Sequence, residues 1–421
     1  MKTVFLRTVR VAQSTTDGDP RTLLSRTVGN TGNMLFETAL DSQLSPEVAR
    51  ISSLSELPQG ADTLVLSMSN FISPVTDMGS FAEAIERRAI GRVVMVGCGA
   101  QAHGFDIGEM ELKPGTRRFI DLLSERSVSI GVRGTYTADM LNKLGVKNVK
   151  VIGCPSIYWP ADRGWPDFRG PTYDDRPRYG IHCTPTGKYR DAVRSLFAYG
   201  RRLGMYYLCQ TEIAYMEAEP NRDFRYYMRT QPLAADIHEW MLQRARIFYD
   251  LDEWIRFNSG LSFVLGSRFH GNVVTMLAGR PALNMVFDSR TREMIEHFSL
   301  PFIDFADFDE RKPVQYYKDM ADYSLFHAFY RRKLGEYADF LTENGVPHLI
   351  GAQYRNCVQH YGELDPVRAA TAENLIGDAI SANLALPAFQ ARLRQAMDKG
   401  RSADERDAIE RGIAHSIATN S

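Results

Sequence analysis

The chain has 421 residues, 24% of them charged and 44% hydrophobic, with 50 basic against 51 acidic side chains. That length suits two domains or slightly more, and a formal net charge of −1 argues against broad electrostatic capture of nucleic acid or of an anionic membrane. No apolar run reaches the length of a membrane span, and Cys98, Cys154, Cys183, Cys209 and Cys357 form neither a CxxC pair nor a zinc pattern. The opening MKTVFLRTVRV lacks an uninterrupted apolar core and is not read as a signal peptide. The expectation is a cytoplasmic protein with reduced thiols.

Lys2 to Val11 holds a first strand, and the polar stretch 12–20 follows. Val28-Gly29-Asn30-Thr31-Gly32-Asn33 then leads into MLFETAL, read as a helix. Two glycines ahead of a helix let the backbone approach a ligand closely, although the segment is neither GxGxxG nor a P-loop and a plain turn fits it equally. Thr63 to Met68 reads as a strand, Phe81 to Ile90 as a helix, and Val93 to Val96 as a strand running into Gly97-Cys98-Gly99. Cys98 is read as a packed thiol. A helix near Arg117 to Arg126 leads to the strand Ser127 to Val132 and to Arg133-Gly134-Thr135. There Thr135 or Thr137 is expected to cap a helix ending at Gly145. Val149 to Ile152 is a further strand, closed by Gly153-Cys154-Pro155-Ser156.

Residues 158–178 are dense in proline, glycine and aspartate and show no period, as a linker would. Alternation resumes with Tyr179 to Cys183, a helix over Tyr189 to Leu203, and strands near Met205 to Leu208 and Arg246 to Tyr249. Past Asp304 the pattern turns helical. Leu325 to Leu341 carries Phe326, Phe329, Tyr330, Leu334, Tyr337, Phe340 and Leu341 at the spacing of one helix face. The charged tail from Asp365 reads as a solvated helix face, and the acidic run Asp304 to Glu310 as a surface turn rather than a metal site. Strand–helix alternation predicts parallel sheets covered on both faces. The expected domains are residues 1–165, a linker at 166–178, residues 179–320, and a helical C-terminal extension at 321–421.

Leu261 to Asp288, LSFVLGSRFHGNVVTMLAGRPALNMVFD, is the most informative stretch. Leu261 to Leu265 reads as a buried strand, Gly266 to Gly271 as a loop, Asn272 to Ala278 as a helix, and Ala282 to Phe287 as the next strand. This unit sets Arg268, His270 and a helix N-terminus at the carboxyl end of a strand, where open α/β sheets bind ligands. A helix start with an arginine beside it is an anion site.

Gly266-x-Arg268-x-His270-Gly271, followed by Gly279-x-Pro281 and a strand ending at Asp288, resembles the signature of the polysaccharide pyruvyl transferase family. Asn30-Thr31-Gly32-Asn33, the strand Val93 to Gly99 and SIGVRGTYTADMLNKLGV resemble further segments of that family in the same order, so the likeness spans about residues 28 to 303. Two positions depart from it. Asp288-Ser289-Arg290 stands where Asp-x-Lys is frequent, and Cys154-Pro155-Ser156 stands where many members have a Pro-Asp-Pro-like turn. The resemblance implies two Rossmann-like domains facing a cleft, similar to the GT-B fold. It also implies phosphoenolpyruvate as donor and a saccharide hydroxyl, or a pair that becomes a cyclic ketal, as acceptor. Arg133, Arg268 and His270 match the positions implied to hold the donor.

The chemistry agrees with those residue types. Phosphoenolpyruvate carries a phosphate and a carboxylate, and guanidinium forks bind both. Phe269, Gly271 and Asn272 accompany Arg268 and His270 on the candidate loop, with the N–H groups of Gly271 and Asn272 directed at phosphate. Asn30, Gly32 and Asn33 form the second candidate binding segment. His270 is the candidate for proton transfer, because its ordinary pKa lies near neutrality. Glu37, Asp250 and Asp288 are the candidate bases. His103 and His182 also follow apparent strands, but no paired ligand marks either as a site residue. The expected function is transfer of pyruvyl from phosphoenolpyruvate to a cell-surface or exopolysaccharide precursor, without cofactor or metal. The acceptor would be free, nucleotide-linked or lipid-linked; the last would bring the protein to the inner face of the membrane without insertion. Two alternatives remain, a glycosyltransferase using a nucleotide sugar and a non-catalytic protein that binds anionic glycans. An oligomer is compatible with each.

Overall fold

The structure is a computed structural model and describes residues 2–9, 20–100, 110–161, 164–168, 177–184, 189–211, 240 and 243–351. His103, Cys357 and the charged tail lie outside the described residues.

The first unit runs β1 (Lys2–Leu6), α1 (Pro20–Arg26), α2 (Asn33–Gln43), β2 (Ala49–Ile51), β3 (Ala61–Leu66), α3 (Gly79–Arg87), β4 (Arg92–Met95), α4 (Pro114–Arg126), β5 (Ile130–Val132), α5 (Thr135–Lys143) and β6 (Val149–Val151). Its central strands are short apolar runs such as Val93-Val94-Met95, buried on both faces, so they need a helix layer on each side. The parallel sheet has the order β2-β1-β3-β4. The parallel pair β5-β6 continues it through a single bridge between Cys98 and Val132.

The second unit runs β7 (Tyr179–His182), α6 (Arg190–Arg202), β8 (Tyr206–Leu208), β9 (Ala245–Arg246), α7 (Leu251–Ser259), β10 (Phe263–Gly266), α8 (Phe269–Leu277), β11 (Ala282–Val286), α9 (Ser289–Phe298) and β12 (Phe302–Asp304). Its six strands are parallel, in the order β12-β11-β10-β7-β8-β9. Counted from β7, this is the doubly wound order 3-2-1-4-5-6, which reverses between β7 and β10. Such sheets bind ligands beyond the carboxyl ends of the strands at that reversal. The two-unit α/β architecture expected from the strand–helix alternation is therefore present. No helix among the described residues is long and apolar enough to cross a membrane.

Several predicted elements differ in detail. The strand expected near Arg246 to Tyr249 is β9, Ala245–Arg246, and ends before Ile247. The helix expected from Asn272 begins at Phe269, because Arg268 serves as its N-cap and its carbonyl accepts the Asn272 N–H at 3.2 Å. The cap expected from Thr135 or Thr137 is absent from α5, whose N-cap is Gly134 with no side-chain bond. Thr137 spends its hydroxyl elsewhere, as described below.

After α10 (Val314–Asp319), helix α11 (Ser324–Glu343) returns to the first unit. Its buried face is Phe326, Tyr330, Leu334, Tyr337, Phe340 and Leu341. Phe329, assigned to that face by spacing, is instead 38% exposed beneath the Arg332 guanidinium. Tyr337 stacks on Tyr158 at 4.4 Å and donates to Gln43 Oε1 at 2.8 Å. Ser45 N–H and Leu349 N–H continue the seam by donating to the carbonyls of Pro347 and Gln43. Tyr337→Phe should cost about 1–3 kcal/mol in urea unfolding, because it leaves a buried amide oxygen without its donor. An unchanged midpoint would show that the Gln43 bond contributes nothing net.

Candidate functional site

The carboxyl ends of both sheets meet. Thr31 N–H, in the loop before α2, donates to the carbonyl of Gln210 beyond β8 at 3.0 Å. Cys154 Sγ, beyond β6, lies 3.6 Å from His270 Nε2 at the start of α8. Glu293, on α9, accepts the Thr137 N–H at 2.9 Å and the Thr137 hydroxyl at 2.8 Å. Of the sequence candidates, His270, Arg133 and the Asn30 to Asn33 loop fall along this seam.

His270 is partly exposed and packs on Phe36 at 5.4 Å between ring centres. Burial holds its imidazole well below the ordinary histidine value, and the charges of Arg133 and Arg290 lower it further. It is therefore neutral at pH 7 in the ligand-free protein. Arg133, 3% exposed, leaves the end of β5. Its Nε donates to Gly97 O at 2.9 Å and its Nη1 to Asn70 Oδ1 at 3.3 Å. Burial also draws this guanidinium below the ordinary arginine range, with Arg290 acting in the same direction. Arg290 pairs with Asp288 at 3.5 Å. The chain thus assembles two arginines from different units around one neutral histidine, the arrangement of an anion site with a proton-transfer group beside it.

Arg268 points elsewhere. Its Nε donates to Cys183 O and its Nη2 to Thr211 Oγ1, both at 2.9 Å, and its backbone N–H donates to His182 Nδ1 at 3.2 Å. The charges that act on His270 are those of Arg133 and Arg290, whereas the charge of Arg268 acts on His182. Arg268 is the extended N-cap, with φ −98° and ψ 110°, whereas His270 lies in the helix, so Arg268 frames the β7–β10 reversal while His270 faces the first unit.

Asn272 is not directed at the crevice. It is buried, and its amide donates to Gly266 O at 2.9 Å and to Asn284 Oδ1 at 2.8 Å, clamping α8 to β11. With its N–H also taken, the open donors of the first turn are those of Phe269, His270 and Gly271. Phe269 itself is packed in the core. In the second candidate segment, Asn30 Oδ1 accepts the Gly32 N–H at 2.9 Å, and Asn33 Nδ2 donates to Thr27 O at 3.0 Å. A Cβ at Gly32 would lie 2.5 Å from Gln210 Oε1 and 3.2 Å from His270 Cβ, so this loop closes directly over the histidine.

The candidate bases disperse. Glu37 is buried under the Thr8 hydroxyl and the Val9 N–H. Asp250 caps α7 through the Glu253 N–H, and Asp288 caps α9 through the Thr291 N–H, so an anionic side chain at each helix start explains both residues. Of the three, Asp288 lies at the seam. Cys98 is fully buried, and burial pushes its thiol up to about 12, in keeping with a packed residue. Among the described residues no group of three His, Cys, Asp or Glu side chains gathers to hold a metal ion.

Three residues were not read as site residues from the sequence: Arg290, which stood only in a departure from the family pattern, His182, named but set aside for want of a paired ligand, and Glu293, which drew no notice. His182, at the end of β7, is fully buried. A Cβ at Gly266 would sit 2.2 Å from its Nδ1, and one at Gly271 2.7 Å from its Nε2. Both glycines of the Gly-x-Arg-x-His-Gly segment thus make room for this ring, and that spacing was the signal available in the sequence. Glu293 is 3% exposed, and burial pushes its carboxyl up to about 7. It lies on the helix beyond Asp288, where nothing in the spacing set it apart.

His182 and Glu293 give opposite pH dependences. Burial, followed by Arg268, lowers His182 to about 3. Below pH 6.5 the unfolded chain therefore binds a proton that the folded chain refuses, and stability falls as pH drops toward 3. At pH 5 His182 alone should cost about 2 kcal/mol. For Glu293 the folded form holds its proton longer, so stability falls as pH rises from about 4.5 toward 7. His182→Asn should therefore be more stable at pH 5 than at pH 7 relative to wild type, by about 2 kcal/mol in urea titrations. Parallel shifts at both pH values would show that His182 does not titrate as described.

The sequence model of the polysaccharide pyruvyl transferase family matches residues 30–289. No curated protein sequence matches the chain. Solved structures with similar chain paths include the S. aureus MnaA–UDP co-structure, at 12% identity, covering 82% of this chain and 94% of that one, TM-score 0.39. UDP-GlcNAc 2-epimerase from Neisseria meningitidis bound to UDP-GlcNAc has 12% identity, coverage of 78% and 84%, and TM-score 0.34.

Proposed function

The chain belongs to the polysaccharide pyruvyl transferase family, and on that basis we propose that it transfers pyruvyl from phosphoenolpyruvate to a saccharide acceptor, forming a ketal. The observation that carries this reading is His270 at the seam of the two units, 3.6 Å from Cys154 of the first and under the charges of Arg133 and Arg290. Arg133, Arg290 and the N–H groups at the start of α8 hold the two anionic groups of the donor. Arg268 frames the switch-point side of the same crevice. The donor's charges offset the two arginines, so the pKa of His270 rises on binding and the imidazole takes up a proton.

Protonated His270 gives that proton to the methylene carbon, turning the C=C bond into a methyl group beside an oxocarbenium-like carbon. The first acceptor hydroxyl attacks this carbon and returns its proton to the histidine. A second hydroxyl displaces phosphate, which leaves with that hydroxyl's proton. One phosphoenolpyruvate and two hydroxyls thus give one pyruvate ketal and one hydrogen phosphate. The arginines balance the charge throughout, so the reaction as proposed needs neither metal nor cofactor. The acceptor class is a cell-surface or exopolysaccharide precursor, free or carried on a nucleotide or lipid, and the reaction belongs to the cytoplasmic side of the membrane.

The test is a thermal-shift titration with phosphoenolpyruvate, UDP and inorganic phosphate, since a ligand of the folded state raises Tm with concentration. The proposal requires phosphoenolpyruvate to stabilise beyond phosphate and Arg133→Ala to abolish the difference. Stabilisation by UDP alone transfers the site to a nucleotide-sugar reaction. Donor binding without phosphate release on any saccharide acceptor favours a binding protein.

A further inference from the structure

Arg133 belongs to the first unit, while its partners in the site, His270 and Arg290, belong to the second. A donor held by all three requires the two units to be locked in register at the end of β5. One side chain from the second unit crosses to that point. Glu293 leaves α9 and accepts both the N–H and the hydroxyl of Thr137, in the first turn of α5. Thr137 Oγ1 in turn accepts the Ala100 N–H at 2.9 Å, which pins the loop after β4. Arg133 rests on that same loop. Its Nε donates to Gly97 O, and its own N–H donates to Cys98 O, both at 2.9 Å. A Cβ at Gly99 would meet Arg133 Cδ at 3.0 Å and Glu293 Oε1 at 3.5 Å. The carboxyl therefore braces both supports of the arginine, the strand end behind it and the loop beneath it.

The contact is built into the backbone. Gly134, next to Arg133, has φ −167° and ψ −176°, an extended conformation open to any residue. Its lack of a side chain has a different cause. A Cβ there would lie 2.5 Å from Glu293 Cβ, 2.8 Å from its Cγ and 2.9 Å from its carbonyl oxygen. Position 134 is glycine so that α9 can reach the Arg133 segment.

We infer that Glu293 is a positioning residue for the donor site, holding Arg133 of the first unit opposite His270 and Arg290 of the second. The inference rests on the donor reading given above. It is separable from a purely electrostatic role because the two have opposite signs. Above pH 7, where its carboxyl is ionised, Glu293 opposes the charge of Arg133, so neutralising it there strengthens the positive field and, with geometry unchanged, tightens anion binding. Loss of positioning loosens it. A merely structural role lowers Tm and leaves the affinity of the folded protein unchanged.

The experiment measures binding of phosphoenolpyruvate and inorganic phosphate by calorimetry, and donor KM and kcat by phosphate release, on the full chain above pH 7, where Glu293 is ionised. Wild type is compared with Glu293→Gln, Gly134→Ala and the double variant. The expected result is donor affinity lowered about tenfold in each single variant, with kcat within about threefold and the double variant no worse than the singles, because both changes break one contact. Should Glu293→Gln not fold, Gly134→Ala reads the same contact from the other side. Equal or tighter binding in the variants, where wild type binds phosphoenolpyruvate, overturns the positioning role and leaves the donor reading intact. Failure of wild type to bind either anion removes the donor reading and this role with it.

Discussion

His270→Asn is expected to lower turnover by about 10²- to 10⁴-fold while leaving donor binding within a fewfold of wild type. The size follows from the chemistry. Carbon protonation is slow without a positioned acid, and the pair Arg133 and Arg290 remains in the variant to hold the anion. Asparagine keeps a polar atom near the place of Nδ1 and removes the Nε2 that faces Cys154. The state of the imidazole adds a second signature. Desolvated in the seam and under the charges of two guanidinium groups, it is neutral before the donor arrives, and the donor's charge lifts its pKa. Binding should therefore draw a proton from solution near pH 7, read by calorimetry in buffers of different ionisation enthalpy. The variant should lose that uptake along with its turnover. Turnover near the wild-type value in His270→Asn would remove the residue from the proton path.

Gly266→Ala should be the most damaging single methyl in the second unit. The added carbon would overlap the His182 ring at 2.2, 2.3 and 2.6 Å, and neither partner has room to yield. The ring is fully buried, and its Nδ1 receives the Arg268 N–H. Overpacking of this kind costs about 1–3 kcal/mol and occasionally more. Here we expect the upper end, together with weakened anion binding, because displacing the ring disturbs the start of α8. The cause can be isolated by rescue. His182→Ala combined with Gly266→Ala removes the overlap and should recover at least half of the stability lost in Gly266→Ala, read as the urea midpoint. Additive losses in the double variant would show that the glycine is required for its backbone rather than for the ring.

How far the sequence carried is clearest around α8. Strand β10, the loop and strand β11 were legible because Phe263-Val264-Leu265 and Ala282 to Val286 are short apolar runs bounded by glycine and proline. Those signals are local, and they also placed Arg268 and His270 at a strand end. They did not tell which way each side chain turns, since that depends on where the helix begins, and Arg268 rather than a later residue is its N-cap. Arg133 and His270 come together across 137 positions of chain, through the docking of two sheets, which no local pattern encodes. The carboxylates fared worst for the same reason. Asp250 and Asp288 advertise themselves as acids beside strands, and helix capping accounts for both. Glu293 sits unmarked in mid-helix and gains its place only when the second unit meets Thr137. Phe329 shows the limit of periodicity, which marks which side chains share a stripe and not where that stripe ends.

The return of α11 also bears on how the protein is made. Gln43 and Tyr337 are 294 positions apart, and the hydrophobic cluster containing Phe5, Val65 and Val94 is completed by Tyr337, Phe340 and Leu341. The strands of the first unit emerge from the ribosome early, but one wall of their core is synthesised after the whole second unit. At about 5–20 residues per second the nascent first unit waits some tens of seconds with that apolar wall open to solvent. Long-range closure of this kind slows folding and makes the half-finished chain a natural client for chaperones. It also predicts that the early segment, expressed without the late helix, will aggregate rather than stand as an independent module.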